Sequence, residues 1–300
     1  MARTERSHYG TICENITTTR MDIVLITTHG RTDYLRLCLE YLSRAEGIQD
    51  KEIRICIDRG GVIPREVSDV VRPIKNINVE YVRRGYHGFS GNSFNTLESY
   101  KEAYNSDAKF VYLIENDVLV QPDFFKWHEA AQSEGDFMCS IAYRCFRNAE
   151  LQIGIEDPEA YLVSPRDYAS IGVCWKREKL EPVVQHANTD YYGNMQKYLE
   201  FMFPDSNLSS YYAEQDGLIM RILERTKQRT IWPFIPRAYH VGFAGYNRLR
   251  GMRLSYEELK KTIHDKERIK QANAALMDIE PVPTSPVAEW SKLYCAQVLS

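Results

Sequence analysis

Between residues 22 and 120 the chain alternates short apolar runs with amphipathic stretches. Asp22-Ile-Val-Leu-Ile-Thr-Thr28, Glu52-Ile-Arg-Ile-Cys-Ile-Asp58 and Asn78-Val-Glu-Tyr-Val82 have the length and the β-branched content of strands. Phe110-Val-Tyr-Leu-Ile114 is apolar or aromatic throughout, which predicts a strand buried on both faces. Leu35, Leu37, Cys38, Leu39 and Leu42 form the wide apolar stripe of a helix, and a second helix is predicted from about Asn92 to Tyr104. With a short helix between the second and third strands, strand and helix alternate as they do in a doubly wound, mostly parallel α/β sheet.

The second half is less regular. Asp136-Phe-Met-Cys-Ser-Ile-Ala142 and Tyr168-Ala-Ser-Ile-Gly-Val-Cys-Trp175 read as strands, joined by a polar connection over 144–167. A helix is predicted from Gly217 to about Thr226, directly after Glu214-Gln-Asp216. A β-like run, Ile231-Trp-Pro-Phe-Ile-Pro-Arg-Ala-Tyr-His240, leads into Gly242 and Gly245. From Leu254 to about Met277 the composition again suits a helix, with Ser255 as its N-cap, and Pro281-Val-Pro-Thr-Ser-Pro286 ends regular structure. The expected organisation is a loose polar arm over 1–21 and one domain over 22–253, with a C-terminal helix and tail over 254–300. The domain divides into a regular half, 22–135, and an irregular half, 136–253.

Composition narrows the class. The chain has 300 residues, 44% hydrophobic and 26% charged, as in an ordinary globular protein able to bury a large core. A net charge of −3 argues against a global attraction to nucleic acid or anionic membrane. No stretch approaches the 18 apolar residues of a membrane span, and the N-terminus has no apolar leader. The cysteines at 13, 38, 56, 139, 145, 174 and 295 are odd in number and contain no CxxC. Reduced thiols, and hence a cytoplasmic protein, are expected; with no apolar leader or span in view, a soluble bacterial or viral protein is the simpler expectation.

Candidate chemistry concentrates where the fourth strand runs into Glu115, Asn116 and Asp117. Two carboxylates at the end of a buried strand are unfavourable unless something compensates their charge, and that strand end is where open α/β sheets bind ligands. A hard divalent cation that also holds a diphosphate meets both conditions. Pro122 fits the start of the helix that follows, with Asp123 in its first turn. The alternative is a loop of capped, solvated acids.

The run Glu-Asn-Asp-x4-Pro-Asp-Phe-Phe resembles the metal-binding motif of GT-A glycosyltransferases, most nearly the form found in N-acetylglucosaminyltransferases that begin N-glycan branching. The resemblance spans about 22–250 and implies a GT-A fold, a Rossmann-like sheet flanked by helices with an irregular acceptor-side half. It implies inverting transfer of a sugar from a nucleotide donor, UDP-linked by preference, to an acceptor hydroxyl with Mn2+ or Mg2+. Under it Asp117 ligates the metal, and Glu115 holds the sugar or a metal-bound water. Asn116, where the family usually has Asp, can bond a ribose hydroxyl. Thr27, Thr28 and Arg31 hold base and ribose, Asp58 the uracil, and the Gly172 strand lies under the donor sugar. Asp216 is the first choice of general base and Glu214 the second. His240 is a metal ligand or diphosphate contact.

Each role has a plainer counterpart. Asp58 can cap the turn Asp-Arg-Gly-Gly, Gly172 can mark a bulge, Asp216 can favour a helix dipole, and His240 can be structural. Tyr191, Tyr192, Tyr198, Tyr211 and Tyr212 suit acceptor recognition and core packing equally. Residues 225–253 hold seven Lys or Arg and no acid, a charge that a leaving diphosphate or a second anionic partner would explain. The acceptor is expected to be a saccharide or protein. A viral-type enzyme acting on hydroxylated bases in DNA is an alternative, as is a non-catalytic glycan- or nucleic-acid-binding module on the same scaffold. A nucleotidyltransferase would need a Gly-rich phosphate loop, of which Thr-Thr-His-Gly-Arg is a poor version.

Overall fold

The computed structural model describes residues 21–29, 31–58, 64–74, 77–83, 91–143, 161–208, 213–242, 254–265 and 267–268. The expected N-terminal arm and the tail beyond 268 lie outside these residues. Strands β1 (Asp22–Thr28), β2 (Lys51–Ile57), β3 (Asn78–Arg83) and β4 (Phe110–Glu115) pair in parallel, with α1 (Thr32–Leu42), α2 (Pro64–Val71) and α3 (Gly91–Tyr104) between them. The alternation predicted for this half is present.

Beyond β4 the sheet continues through β8 (Val173–Lys176), β6 (Cys139–Ile141), β9 (Thr230–Pro233) and β7 (Tyr161–Ser164), in the order β3-β2-β1-β4-β8-β6-β9-β7. Strand β8 is antiparallel to both β4 and β6, while β9 is parallel to β6 and antiparallel to β7. All strands except β7 and β8 therefore point the same way. Both strands predicted in this half are shorter than expected. The run 168–175 becomes extended only after Gly172, whose φ of 64° breaks it.

The sheet is covered on both faces, and β1 shows why. Ile23 and Leu25 pack into one core with Leu97 of α3 and Leu218 and Ile222 of α8 (Gln215–Thr226). Val24 and Ile26 face the other core, with Leu35 and Leu39 of α1 and Phe124 and Phe125 of α4 (Phe124–Ser133). Alternate residues of one strand thus feed two apolar layers, and β4 does the same, so no polar residue is tolerated before its end. Short helices α5 (Glu181–Val184), α6 (Thr189–Gly193) and α7 (Met195–Met202) follow β8. Tyr191, Tyr192 and Tyr198 pack there, Tyr191 fully buried with its hydroxyl on the Ala213 carbonyl. Tyr211 and Tyr212 lie outside the described residues.

A two-stranded antiparallel ribbon joins β5 (Val118–Val120) to β10 (Ala238–His240). Sequence pattern assigns no element to 118–120 and predicts a helix start at Pro122. Pairing with β10 makes the first a strand, and the helix begins only at Phe124. Asp123 is the N-cap residue without a capping bond; its carboxylate instead accepts from Arg237 Nε at 3.0 Å. Helix α9 (Tyr256–Thr262) opens at the predicted Ser255 N-cap, closed as a capping box with Glu258, and ends at Thr262 rather than near Met277. It packs Tyr256 and Leu259 into a third core with Leu37, Tyr239 and Val241. Cys38, Cys56, Cys139 and Cys174 are buried free thiols. No helix among the described residues is long and apolar enough to cross a membrane.

Candidate active site

Strand β4 ends at Glu115 beside the end of β1, since Thr27 pairs with Glu115. The next residue clasps the two strands. Asn116 N–H donates to the Thr27 carbonyl at 3.1 Å, and its side-chain amide donates to Thr28 Oγ1 at 2.9 Å. Its Oδ1 accepts from Arg31 at 2.8 Å. Asn116, Thr27 and Thr28 are buried, so these bonds are made out of water and fix the first-strand loop against the acidic motif. The amide expected to meet a ribose hydroxyl is engaged at both ends within the protein.

Asp117 is the electrostatic centre. Its Oδ2 lies 2.8 Å from Arg31 Nη1 and 3.4 Å from His240 Nε2. Burial alone would raise its carboxyl, but Arg31 and then His240 overturn that and hold it well below the usual carboxylate range. Arg31, which precedes α1, also stands 5.1 Å over the Tyr34 ring. His240 arrives from more than a hundred residues away because β10 pairs it with Val118, and Val241 N–H closes on the Asp117 carbonyl at 2.8 Å. Gly242 follows for a steric reason, since a β-carbon there would collide with Asp117 Oδ2 and His240 Nε2.

Glu115 completes the group. Its carboxyl is pushed well above the ordinary range by burial, then by the charges of Asp117 and Asp216, against a hydrogen bond with Asn92 of α3. Ligand atoms of Glu115, Asp117 and His240 all lie within 4.8 Å of one another. Two carboxylates and an imidazole, one acid being destabilised by the other, are a donor set that fits a divalent cation such as Mn2+ or Mg2+. Asp117 and His240, the expected ligands, lie together, and Glu115 shares their cluster.

The two candidate bases differ in setting. Glu214 is the exposed N-cap residue of α8, while Asp216 sits in that helix's first turn, which begins at Gln215 rather than at Gly217. Burial pushes the Asp216 carboxyl up to about 6, against two hydrogen bonds from Ser170. The start of α8 is pinned to the start of α3: Ser93 Oγ donates to Gln215 Oε1 at 2.7 Å and accepts from Gln215 N–H at 3.1 Å. Asn92 and Ser170 carry no motif, and only their hydrogen bonds to acids distinguish them; Ser93 is distinguished only by its contact with Gln215.

The remaining expectations separate. Asp58, at the end of β2, is paired with His29 Nδ1 at 3.3 Å, and that contact raises the imidazole. Gly172 is required by packing, since a β-carbon would stand 2.8 Å from Ala238 Cβ and 3.1 Å from a Phe124 ring carbon. The described part of the basic run does not gather at the carboxylates. Arg237 is buried and ion-paired to Asp123, and Arg225, Lys227 and Arg229 lie where α8 returns to the opposite edge of the sheet, before β9. A leaving diphosphate therefore does not explain these four charges; Arg248, Arg250, Arg253 and Gly245 fall outside the described residues.

No family model and no curated protein matches the sequence. Solved structures with a similar arrangement include the mannosyltransferase PcManGT from Pyrobaculum calidifontis in complex with GDP-Man and Mn2+, at 12% identity and TM-score 0.46 over 94% of this chain and 82% of that one. TarS residues 1–349 from S. aureus, in complex with UDP-GlcNAc, match at 10% identity and TM-score 0.46 over 93% of this chain and 71% of theirs. The galactosyltransferase LgtC, with donor and acceptor sugar analogues, matches at 15% identity and TM-score 0.42 over 67% and 70%. Each is named for sugar transfer or holds a nucleotide sugar. At these identities function must be argued from the site.

Proposed function

We propose that this chain is a GT-A glycosyltransferase that moves a sugar, with inversion, from a nucleotide donor to an acceptor hydroxyl. One observation carries the reading. Three side chains able to hold a cation and a separate carboxylate pushed up to about 6 by burial lie within electrostatic reach of one another, held by different elements. Transfer needs both: charge compensation for the departing diphosphate and a base for the incoming hydroxyl.

Asp117, His240 and Glu115 would hold the cation, whose chemistry when bound is to offset the charge of the leaving nucleoside diphosphate. Thr27, Thr28 and Arg31 line the loop for base and ribose, and Asp58 at the end of β2 suits a uracil N–H. Gly172 supports this floor through packing. Asp216 takes the proton of the acceptor hydroxyl as that oxygen bonds to the anomeric carbon. The bond from that carbon to the diphosphate breaks, and its configuration inverts. A base must be ionised at working pH yet basic enough to accept a proton, which favours Asp216 over the exposed Glu214. The acceptor favoured is a saccharide; the four described basic residues lend no support to duplex DNA, because they are paired or lie away from the site.

The deciding experiment is thermal-shift and turnover screening of UDP-, GDP- and CMP-sugars with and without Mn2+. Stabilisation by one class, strengthened by metal and lost in Asp117→Asn, is expected. Turnover should vanish in Asp216→Asn while donor binding remains. No stabilisation by any sugar nucleotide would end the assignment.

A further inference from the structure

The mechanism above leaves one well-built feature unused. Ser170 is buried in the irregular segment that enters β8, with no motif to mark it. The segment is held on both sides of it. Before it, Tyr168 is buried and its hydroxyl lies 3.2 Å from that of Tyr100, which also accepts from Trp175 Nε1 at 3.1 Å. After it, Ala142 N–H donates to the Gly172 carbonyl at 2.7 Å, in the left-handed conformation that only a glycine adopts without strain. Between these anchors the Ser170 hydroxyl donates to Asp216 Oδ1, and its backbone N–H faces the same carboxylate.

We propose that Ser170 is a positioning residue for the base: it grips one oxygen of Asp216 and so presents the other to the acceptor hydroxyl. The inference rests on the reading of Asp216 as general base. Two donors from one residue fix the rotation of a carboxylate, and a near-attack geometry is sensitive to such rotation. The donors also favour the ionised form, offsetting part of the burial that pushes Asp216 up to about 6. Other titratable groups act on it from its surroundings: Glu214 beside it, Glu115 from β4, Tyr168 from its own segment, Tyr100 from α3 and Tyr191 from α6. None of these is cationic; beside the N-terminus of α8, it is the two hydrogen bonds from Ser170 that favour the ionised Asp216.

The test compares Ser170→Ala and Ser170→Thr with the full-length protein. In Ser170→Ala the acid limb of kcat should move up by about one pH unit, and kcat at neutral pH should fall about tenfold with the donor KM unchanged. Ser170→Thr, which keeps the hydroxyl, should recover most of both. A second readout is independent of turnover: 13C-carboxyl NMR titration of Asp216, which should move up in Ser170→Ala alone. An unmoved titration, or equal loss in both variants with an unmoved limb, would overturn the proposal. If the titration moves but no sugar nucleotide binds or reacts, the Ser170–Asp216 coupling stands and the glycosyltransferase reading falls.

Discussion

Asp216, the proposed base, works against stability. Its carboxyl titrates at about 6 in the folded chain, above the 3.8 of an ordinary aspartate. The folded state therefore binds this proton more tightly than the unfolded one. Relative stability is full below about pH 4 and is lost as pH rises through 6. Asp216→Asn removes the buried charge, so it should stabilise the protein by about 2 kcal/mol at pH 7.5 after allowance for solvent screening. Melting curves should show a gain of about 4 °C there and none at pH 4. Gly242 makes a steric point at the same scale. A methyl group at 242 must displace Asp117 Oδ2 or His240 Nε2. Gly242→Ala should keep the fold but weaken Mn2+ binding at least tenfold, as measured by the EPR signal of free Mn2+.

At the scale of elements, the β5–β10 ribbon decides whether the candidate metal ligands meet at all. Strand β4 supplies the acids, but only the pairing of His240 with Val118 brings the imidazole to them. The ribbon is held from below by Arg237, whose guanidinium is buried against Asp123 at the N-cap of α4 and whose carbonyl accepts from Gln121 N–H at 2.9 Å. Removing one member of such a pair leaves the other charge uncompensated. Arg237→Ala should cost about 3 kcal/mol in urea unfolding. It should also raise the Kd for Mn2+ although residue 237 is no ligand. An unchanged metal affinity would show that the ribbon holds His240 without this ion pair.

The whole molecule places chemistry where its two apolar layers end. Both cores close against the same sheet, and the C-terminal edge of β1, β2 and β4 is where backbone and side chains regain polar partners. Arg31 holds Asp117 at 2.8 Å and partly compensates the acids, which helps the fold tolerate them in the absence of any cation; the proposed metal would compensate them further. Excess Mn2+ should therefore raise the melting temperature, and EDTA should return it to the metal-free value. At a hundred times Kd the gain is about 2.7 kcal/mol. Asp117→Asn should abolish the response while leaving the unfolding cooperative.

Much of this was legible along the chain, because buried strands and amphipathic helices follow from periodicities of two and 3.6, and these depend on neighbours in sequence. The order of β1 to β4, the helices between them, the acids at the end of β4, the Ser255 cap and the buried thiols are of this kind. Other features depend on contacts between distant segments, which no local pattern records. Val118–Val120 became a strand only because β10 lies beside it. Arg237, read as part of a basic run, is a buried partner of Asp123, and Asn116 is a clasp between two strands. The grip of Ser170 on Asp216 joins residues 46 apart. Local periodicity determined the layers and the edge; tertiary packing decided which side chains meet there, since burial and charge pairing are properties of neighbours in space.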